Sequence, residues 1–274
     1  MTTHASEVKK GERFEFGKNW KRFLSVLNDE RIGEAQRSLS GMLGVDTLEG
    51  LSFLDIGCGS GLFSLAARSL GATVTSFDFD PDSVDCTEEL RRRYFPDDNS
   101  WRITEGSALD AGFLESLGQF DVVYSWGVLH HTGRMWDALA LVFGNVSKNG
   151  KLFISIYNDQ GVKSRVWRRI KRIYCSGAAG KAAVSSVFIP LFVVTGLGQD
   201  LAARRNPVTR YREYSKKRGM SIYHDWLDWL GGYPFEVATP DPITEFYTAR
   251  GFRLFKRVET TSLGTNQFVF QRLP

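Results

Sequence analysis

The sequence predicts an α/β protein built on a doubly wound, mostly parallel sheet. Short apolar runs alternate with helical patterns from Leu51 to Tyr157, a glycine-rich turn follows the first run, and two closely spaced β-type runs stand near the C-terminus. Strands that alternate with helices of this length are joined by right-handed crossovers, and both faces of the sheet are covered. The two last runs are too close for a crossover helix, so we expect them to pair antiparallel.

The elements follow in chain order. Residues 18–43 carry apolar side chains at three- and four-residue spacings, which is typical of one or two amphipathic helices ahead of the sheet. The predicted strands of the alternating region are 51–56, 72–77, 101–104, 120–125 and 151–157. The predicted helices between them are 61–71, 81–94, 110–117 and 134–147. The second has Pro81 and Asp82 in its first turn, and the last is expected to end at Asn149–Gly150. The fold is completed by a helix over 242–252 and by the paired strands 253–259 and 267–273.

The chain divides into four predicted segments. We expect an N-terminal helical cap over 1–45, a cofactor-binding core over 46–157, a lid insert over 158–239, and a final helix and strand pair over 240–274. The insert is set apart because the alternation of strands and helices stops after residue 158. A stretch of about eighty residues is too long for a plain loop.

Composition is that of an ordinary globular chain. With 274 residues, 42% of them apolar, it can bury a large core without disulfides or a structural metal. Its three cysteines form no CxxC pair, so we expect no disulfide scaffold, zinc ribbon or other metal site. The first twenty residues lack the apolar stretch of a secretory signal, so we expect a cytoplasmic protein. A net charge of +4 is too small to indicate nucleic-acid binding by itself.

The sharpest motif is a glycine-rich turn, DIGCGSG at residues 55–61, between a predicted strand and a predicted helix. Glycines let the backbone turn tightly and let a ligand approach it beside the positive end of the helix. Asp78 ends the next strand about twenty residues downstream, where a carboxylate can accept hydrogen bonds from both ribose hydroxyls. The alternative is a plain tight turn with Asp78 as a helix cap, but the joint spacing favours a nucleoside-binding βαβ unit.

The same residues narrow the kind of nucleoside cofactor. A dinucleotide fingerprint requires a third glycine where Leu62 stands, which disfavours a dehydrogenase. Asp55, just ahead of the turn, would repel a pyrophosphate and suits a cationic amino-acid tail. S-adenosylmethionine has such a tail, with an ammonium group and a sulfonium centre. The sequence therefore favours this cofactor over a dinucleotide.

Five successive stretches resemble the motifs of class I S-adenosylmethionine-dependent methyltransferases, and most closely the branch that contains quinone-ring and other small-molecule methyltransferases. They are FLDIGCGSGLFSLAA, VTSFDFDPDSV, ITEGSALD, FDVVYSWGVLHHTGRMWDAL and KNGKLFISIY, in this order over roughly residues 50–157. The resemblance implies the Rossmann-like methyltransferase fold, a seven-stranded sheet whose last strand is inserted antiparallel.

The resemblance also implies a set of cofactor contacts. The methionyl part of S-adenosylmethionine is expected against the turn that contains Asp55, Gly57, Cys58, Gly59 and Gly61. The ribose is expected on Asp78, and the adenine beside Phe79, Ser107 and Ala108. Many family members have an acidic residue in place of Ser107, and a serine hydroxyl accepts the adenine amino group more weakly. Ser125 and Trp126 are expected near the transferred methyl group, and the product cofactor is S-adenosylhomocysteine.

Histidines are the candidate catalytic residues. Methyl transfer from a sulfonium is an in-line displacement, so the protein mainly aligns the nucleophile and the methyl group in a dry cleft. A hydroxyl nucleophile gains from a general base near neutral pH. His130 and His131 follow the fourth strand at the carboxyl edge of the sheet, and one of them could be this base. They could equally form a structural turn, and His224 with Asp225 is an alternative acid–base pair.

The insert allows three interpretations. Residues 162–174 predict a basic amphipathic helix, and residues 182–198 are an uncharged, mostly apolar run that is a little short of a bilayer span and is interrupted by Pro190. We prefer a buried helical hairpin that acts as a lid over the acceptor, with the basic faces solvated. The first alternative is a peripheral contact of 162–198 with an anionic membrane, delivering a lipophilic acceptor. The second is an arginine-rich site for a phosphorylated or nucleic-acid acceptor.

Two groups of aromatic residues allow two interpretations, packing in a hydrophobic core or lining a ligand pocket. One lies in the insert and consists of Tyr223, Trp226, Trp229, Tyr233 and Phe235. The other precedes the sheet and consists of Phe14, Phe16 and Trp20. Such clusters more often pack as core, although a lid can pack and line a pocket at once. In the family that the chain resembles, amino-terminal segments often close over the cofactor.

Together these features predict an enzyme that transfers a methyl group from S-adenosylmethionine to a small organic acceptor. We prefer an oxygen nucleophile, and a lipophilic or aromatic acceptor is compatible with the insert. One alternative is an RNA methyltransferase that uses the basic insert. An alternative of another class is a non-catalytic binding or scaffold module, against which the glycine turn and Asp78 argue, because such a module needs neither.

Overall fold

A computed structural model of the chain describes residues 3–210 and 222–274, without the side chains of Arg22 and His224. Its strands are β1 (Ser52–Ile56), β2 (Thr73–Asp78), β3 (Trp101–Glu105), β4 (Phe120–Trp126), β5 (Val146–Tyr157), β6 (Phe252–Val258) and β7 (Thr265–Arg272). They form one seven-stranded sheet in the order β3-β2-β1-β4-β5-β7-β6. β7 pairs antiparallel with β5 and β6, and the other neighbours are parallel. The predicted doubly wound α/β fold with an antiparallel last strand is confirmed.

Helices cover both faces of this sheet. The principal helices are α1 (His4–Lys9), α2 (Gly17–Phe23), α3 (Asp29–Leu43), α4 (Leu62–Ser69), α5 (Pro81–Tyr94), α6 (Ala111–Leu117), α7 (Met135–Val142), α8 (Val162–Cys175), α9 (Ala178–Ala202), α10 (Ile222–Gly231) and α11 (Pro240–Thr248). Side chains two apart on a strand share a face. In β5, Leu152 and Ile154 pack with α6, α7 and α11, whereas Phe153 packs with α3, α4 and α5. The core therefore consists of two apolar layers separated by the sheet.

The boundary between α7 and β5 differs from the prediction. The helix expected over 134–147 ends at Val142 and is followed by a 3-10 turn, and β5 begins at Val146, which pairs with Phe120. Asn149 adopts a left-handed φ of 62°, so the Asn149–Gly150 pair that was expected to end the helix lies inside β5. The register between β4 and β5 shifts at this place, as in a β-bulge.

The insert forms its own small cluster beside the sheet. Helices α8, α9 and α10 pack around three buried apolar side chains, Tyr174, Val184 and Leu230, with Phe14 of the N-terminal region against them. Residues 211–221 of the predicted insert lie outside the described residues.

The expectation of a buried helical hairpin is wrong for α9. Of its 25 residues only Val184, Gly196 and Asp200 are buried, because the small cluster covers one side of the helix. Pro190 lies inside α9 and does not interrupt it. Among the described residues, α9 is the one helix that is long and apolar enough to cross a membrane, judged by length and composition.

Candidate active site

The glycine turn lies at the carboxyl edge of β1, between the strand and α4. Gly57, Gly59 and Gly61 all have left-handed φ values, of 76°, 55° and 79°. A Cβ on Gly57 would lie 2.4 Å from the side chain of Val128, and one on Gly61 would lie 2.8 Å from the Cα of Thr87. Because an L side chain at these positions would be strained and would collide, glycine is required at both. The tight turn that the motif predicts is therefore present.

Asp78 joins β2 to this turn. One carboxylate oxygen accepts a hydrogen bond from the backbone N–H of Gly59 at 2.9 Å, and the other accepts from the N–H of Asp80 at 2.9 Å. A carboxylate has about four acceptor sites, so capacity for ribose hydroxyls remains. Burial raises the pKa of Asp78 to about 6, although these backbone hydrogen bonds and the charge of Arg13 oppose the shift. A glycine-rich turn beside a carboxylate with spare acceptors fits a nucleoside.

Asp55 is buried behind the turn. Its carboxylate accepts a hydrogen bond from the hydroxyl of Ser64 at 2.5 Å, and Ser64 contacts the hydroxyl of Ser76 at 2.7 Å. The indole N–H of Trp101 donates to Ser76 at 2.9 Å and extends this polar network to β3. Burial raises the pKa of Asp55 to about 7. Asp55 thus anchors the start of α4 to the strands, and its contact with a cofactor stays a prediction.

The adenine-side residues surround the end of β2. Phe79 lies beneath the guanidinium of Arg13, whose Cζ is 5.0 Å from the ring centroid, and His4 meets its edge at 5.7 Å between centroids. Ala108 is buried, and the hydroxyl of Ser107 accepts from the N–H of Leu109 at 3.2 Å. Asp78 pairs with Glu105 of β3, so these residues lie along the same edge. Their contact with adenine stays a prediction.

Three other predicted contacts have distinct surroundings. Cys58 is buried, accepts from the hydroxyl of Thr87 at 3.1 Å, and has a pKa raised by burial, as expected of a packing residue rather than a nucleophile. The hydroxyl of Ser125 donates to the carbonyl of Ile56 at 3.0 Å and so ties β4 to β1. Trp126 is 43% exposed. The three residues lie at the carboxyl edge of the sheet, as the sequence predicts.

His130 and His131 form the 3-10 turn after β4 and are both buried. Neither ring nitrogen of His130 has a hydrogen-bond partner among the described residues. His131 makes a hydrogen bond between Nδ1 and the carbonyl of Pro234 at 2.5 Å. Burial lowers the pKa of His130 well below its ordinary value and that of His131 to about 3, so both are neutral at physiological pH. The His224 side chain lies outside the described residues.

The residues ahead of the sheet, 11–23, cross the site as an N-terminal strap. The indole of Trp20 covers Gly59, where a Cβ would lie 3.1 Å from its Nε1. The N–H of Gly17 donates to the Asp80 carboxylate at 2.8 Å. Arg13 donates to the carbonyl of His131 at 3.0 Å. Aromatic residues in FEFGKNW indicated a possible closure, whereas no sequence pattern singled out Arg13.

Lys171, like Arg13, has a position in the fold that was not expected from the sequence. It was expected on a solvated basic face, but it is 1% exposed and its ammonium group lies 4.2 Å from the Trp229 ring centroid and 5.0 Å from that of Phe235. It donates to the carbonyl of Trp229. Burial lowers its pKa to about 7. Ser164, Lys171 and Tyr174 are spaced so that they share one face of α8, and this face is the buried one. This spacing is the one sequence signal for the burial of Lys171.

The two histidines and Lys171 meet where the insert joins the sheet. A Cβ on Gly232 would lie 3.3 Å from Cε1 of His131 and 3.5 Å from Nζ of Lys171. Tyr157, at the end of β5, has its ring centroid 4.2 Å from that of His130 and 5.0 Å from that of Phe235. Among the described residues no carboxylate forms an ion pair with Lys171. The carboxyl edge of the sheet thus carries a nucleoside-compatible turn and, in addition, two neutral histidines and a lysine whose pKa is lowered.

Comparisons with known proteins agree with this geometry. Residues 54–152 match the family model described as a methyltransferase domain. A ubiquinone biosynthesis O-methyltransferase of Brucella ovis is 33% identical over 112 residues, 40% of this chain and 43% of that protein. A tRNA U34 carboxymethyltransferase of Pseudoalteromonas translucida is 32% identical over 123 residues, 44% of this chain and 37% of that protein. The chain thus spans less than half the length of these curated relatives.

Solved structures share the fold. A magnesium protoporphyrin IX methyltransferase of Synechocystis PCC 6803, with bound SAH, has a TM-score of 0.53 and 14% identity over 93% of this chain and 94% of that chain. The protein PKMT2 of Rickettsia typhi, in complex with AdoHcy, has a TM-score of 0.56 and 13% identity over 87% of this chain and 52% of that chain. Such identities show the fold alone. The family match, the motif order and the sheet topology together show that the chain contains a class I methyltransferase domain.

Proposed function

We propose that the protein transfers a methyl group from S-adenosylmethionine to a small organic acceptor, at an oxygen nucleophile. One observation carries the proposal. The N–H of Gly59 and the carboxylate of Asp78 are joined by a 2.9 Å hydrogen bond, which fixes the glycine turn and the acidic residue side by side. A nucleoside with a cationic amino-acid tail matches this pair, since hydroxyls can donate to Asp78 and the turn lies beside the N-terminal end of α4. Trp20 of the N-terminal strap has to move aside for the ligand to reach Gly59.

The proposed cofactor contacts follow from these positions. Asp78 holds the ribose, Phe79 with Ser107 and Ala108 borders the adenine, and the turn supports the methionyl part. Asp55 lies behind the turn and favours the cationic tail through its charge when it is ionised, rather than by contact. Ser125 and Trp126 border the methyl group. When bound, S-adenosylmethionine supplies an activated methyl group on sulfur that is open to in-line displacement.

The group at the edge of the insert supports an oxygen acceptor. Nδ1 of His131 donates to the carbonyl of Pro234, because a carbonyl oxygen can only accept, and the lone pair of Nε2 is left to accept a hydrogen bond. His131 then orients a hydroxyl without removing its proton, because its pKa of about 3 makes it a weak base. The Lys171 amine has a pKa of about 7, which suits a proton acceptor near neutral pH better. A ubiquinone-type O-methyltransferase among the relatives is consistent with this acceptor class.

Calorimetric titration with S-adenosylmethionine and with S-adenosylhomocysteine tests the cofactor. We expect binding by the wild-type protein and a loss of tenfold or more, roughly 1.4 kcal/mol or above, in Asp78→Ala, because the ribose hydroxyls lose charge-assisted hydrogen bonds. Affinity should rise as the pH increases through about 6, the pKa of Asp78, because the ionised carboxylate is the better acceptor. Asp78→Asn should remove this rise.

Asp110→Ala is a matched control, because Asp110 caps α6 at the same edge of the sheet by accepting from the N–H of Phe113 at 3.0 Å. This variant should bind the cofactor normally. Absence of heat with either ligand for the wild-type protein would refute the proposed function. Equal losses of cofactor affinity in Asp78→Ala and Asp110→Ala would show that Asp78 does not hold the ribose.

A second candidate is an RNA acceptor. The resemblance to a tRNA-modifying enzyme and the basic stretch of the insert support it. RNA affinity that falls steeply with salt concentration, together with methyl transfer to RNA, would favour it over a small acceptor.

A further inference from the structure

The α8–α9 hairpin exposes an unusual amount of apolar surface. Nine large apolar side chains of these two helices are exposed, which is half of all such side chains in the described part of the chain. They are Val162, Val166, Ile173, Val187, Leu191, Val193, Val194, Leu197 and Leu201. Scattered exposed apolar residues need no explanation, but a concentration on two adjacent helices indicates an interaction surface.

These side chains form stripes at helical spacing. On α8, Val162, Val166 and Ile173 lie on one side, and the buried Ser164, Lys171 and Tyr174 lie on the opposite side. On α9, Val187, Leu191, Val194 and Leu201 recur at three-, four- and seven-residue intervals. Phe188, Ile189 and Phe192 of α9 pack instead on the small cluster of the insert. Each helix therefore has one side packed inside the protein and an apolar stripe on another side that is exposed.

Charge is equally one-sided in this region. Residues 160–199 contain no Asp or Glu and seven Lys or Arg. Six of these seven are exposed, namely Lys163, Arg165, Arg168, Arg169, Arg172 and Lys181. Basic side chains next to exposed apolar stripes match a surface that offers both negative charge and an apolar interior. An anionic lipid bilayer is such a surface.

We propose that the α8–α9 hairpin is a membrane-docking surface that rests on anionic lipid, with its apolar stripes in the headgroup region and its arginines on lipid phosphates. The proposal does not depend on the proposed methyl transfer.

Other occupants fit the same observations less well. A symmetric contact between two copies of the chain would place the same uncompensated positive charges against each other. Nucleic acid would match the charge but would leave the apolar stripes without a partner, since its interfaces are polar. A membrane-spanning α9 would have to leave α8 and α10, on which Phe188 and Phe192 pack. Peripheral docking keeps these contacts.

Vesicle flotation tests the proposal with the full-length protein. We expect partition onto vesicles of phosphatidylcholine with phosphatidylglycerol, weaker binding at high salt, and little binding to pure phosphatidylcholine. Arg165→Gln, Arg169→Gln and Arg172→Gln together should weaken binding to anionic vesicles by roughly a hundredfold, at about fivefold per arginine. Val187→Glu with Val194→Glu should abolish it. Both valines are more than half exposed, so the fold should tolerate the change, which circular dichroism checks.

Leu273→Glu is the matched control, since Leu273 is comparably exposed but lies at the C-terminus, and it should leave partition unchanged. Equal binding to neutral vesicles, or unchanged binding of the Val187 and Val194 double variant, would overturn the assignment. So would a dimer in sedimentation velocity that the double variant disrupts while vesicles are not bound, or salt-sensitive RNA binding without any vesicle partition. Because no cofactor is needed, failure here leaves the titration of the proposed function unaffected.

Discussion

The core, residues 46–157, and the insert, residues 158–239, bury their apolar side chains in different ways. Buried side chains of the core alternate along each strand and form two large layers, so that Leu152 and Phe153 lie on opposite faces. The described part of the insert buries three apolar side chains in its cluster and exposes many more on α8 and α9. The core therefore carries its own stability, whereas the insert relies on contacts with its surroundings.

The largest expected effect separates the stability of the two regions. Phe153→Ala in the core should lower the free energy of unfolding by about 3–5 kcal/mol, because a large side chain that is 1% exposed leaves a cavity. Phe188→Ala, on the partly covered side of α9, should cost only about 1 kcal/mol, since less area is lost from the packed interior. Urea unfolding measures both. Similar losses would show that the insert is as tightly packed as the core.

A smaller effect is expected at the glycine turn. Gly61→Ala should cost about 2 kcal/mol or more, because it adds a collision with Thr87 at 2.8 Å to the strain of a φ of 79°. Gly251→Ala, just after the C-terminus of α11, has the same φ but no atom within 4 Å, so it should cost about 1 kcal/mol. Thermal unfolding compares them, and cofactor titration should show a loss for Gly61→Ala alone. Equal costs would mean that the turn tolerates a side chain.

A third contrast, in pH dependence, uses the buried lysine of the insert. The pKa of Lys171 is about 7 in the folded protein and about 10.4 in an unfolded chain, so the unfolded chain binds more protons between these values. The free energy of unfolding should therefore rise, by up to about 4–5 kcal/mol, as the pH increases through this window. Lys171→Met should remove the rise, and Lys163→Met, exposed on the same helix, should retain it. If the free energy of unfolding of Lys171→Met rises with pH as steeply as that of the wild type, a group other than Lys171 binds the proton.

The sequence predicted the core far better than the insert, for physical reasons. The alternation of strands and helices, the glycine turn and Pro81 in the first turn of α5 are local signals, and each appears where the sequence pattern places it. The α7–β5 boundary was missed because Asn149–Gly150 marks a helix end as well as it marks a bulge. The exposure of α9 and the burial of Lys171 depend on which neighbour covers which side of a helix. Apolar composition alone does not carry that information.

The site shows the same division. Asp78 and the glycine turn lie side by side, as the fixed spacing of a nucleoside-type βαβ unit predicts, and their role in binding stays a prediction. Arg13 lies 118 residues from His131, whose carbonyl it contacts, and Lys171 lies 58 residues from Trp229. No local pattern links such pairs, so only the folded chain shows them together.

The N-terminal strap fastens the two regions to each other. Gly17 is bonded to Asp80 of the core, the N–H of Phe14 donates to the carbonyl of Tyr233 in the insert at 2.9 Å, and Asn19 is bonded to Asp228. Trp20, on the same stretch, covers Gly59. Whatever uncovers the turn must also strain the ties to the insert. In the proposed function, exchange of the cofactor at the turn and movement of α10, which contains Asp228, are thereby coupled through a single short length of chain.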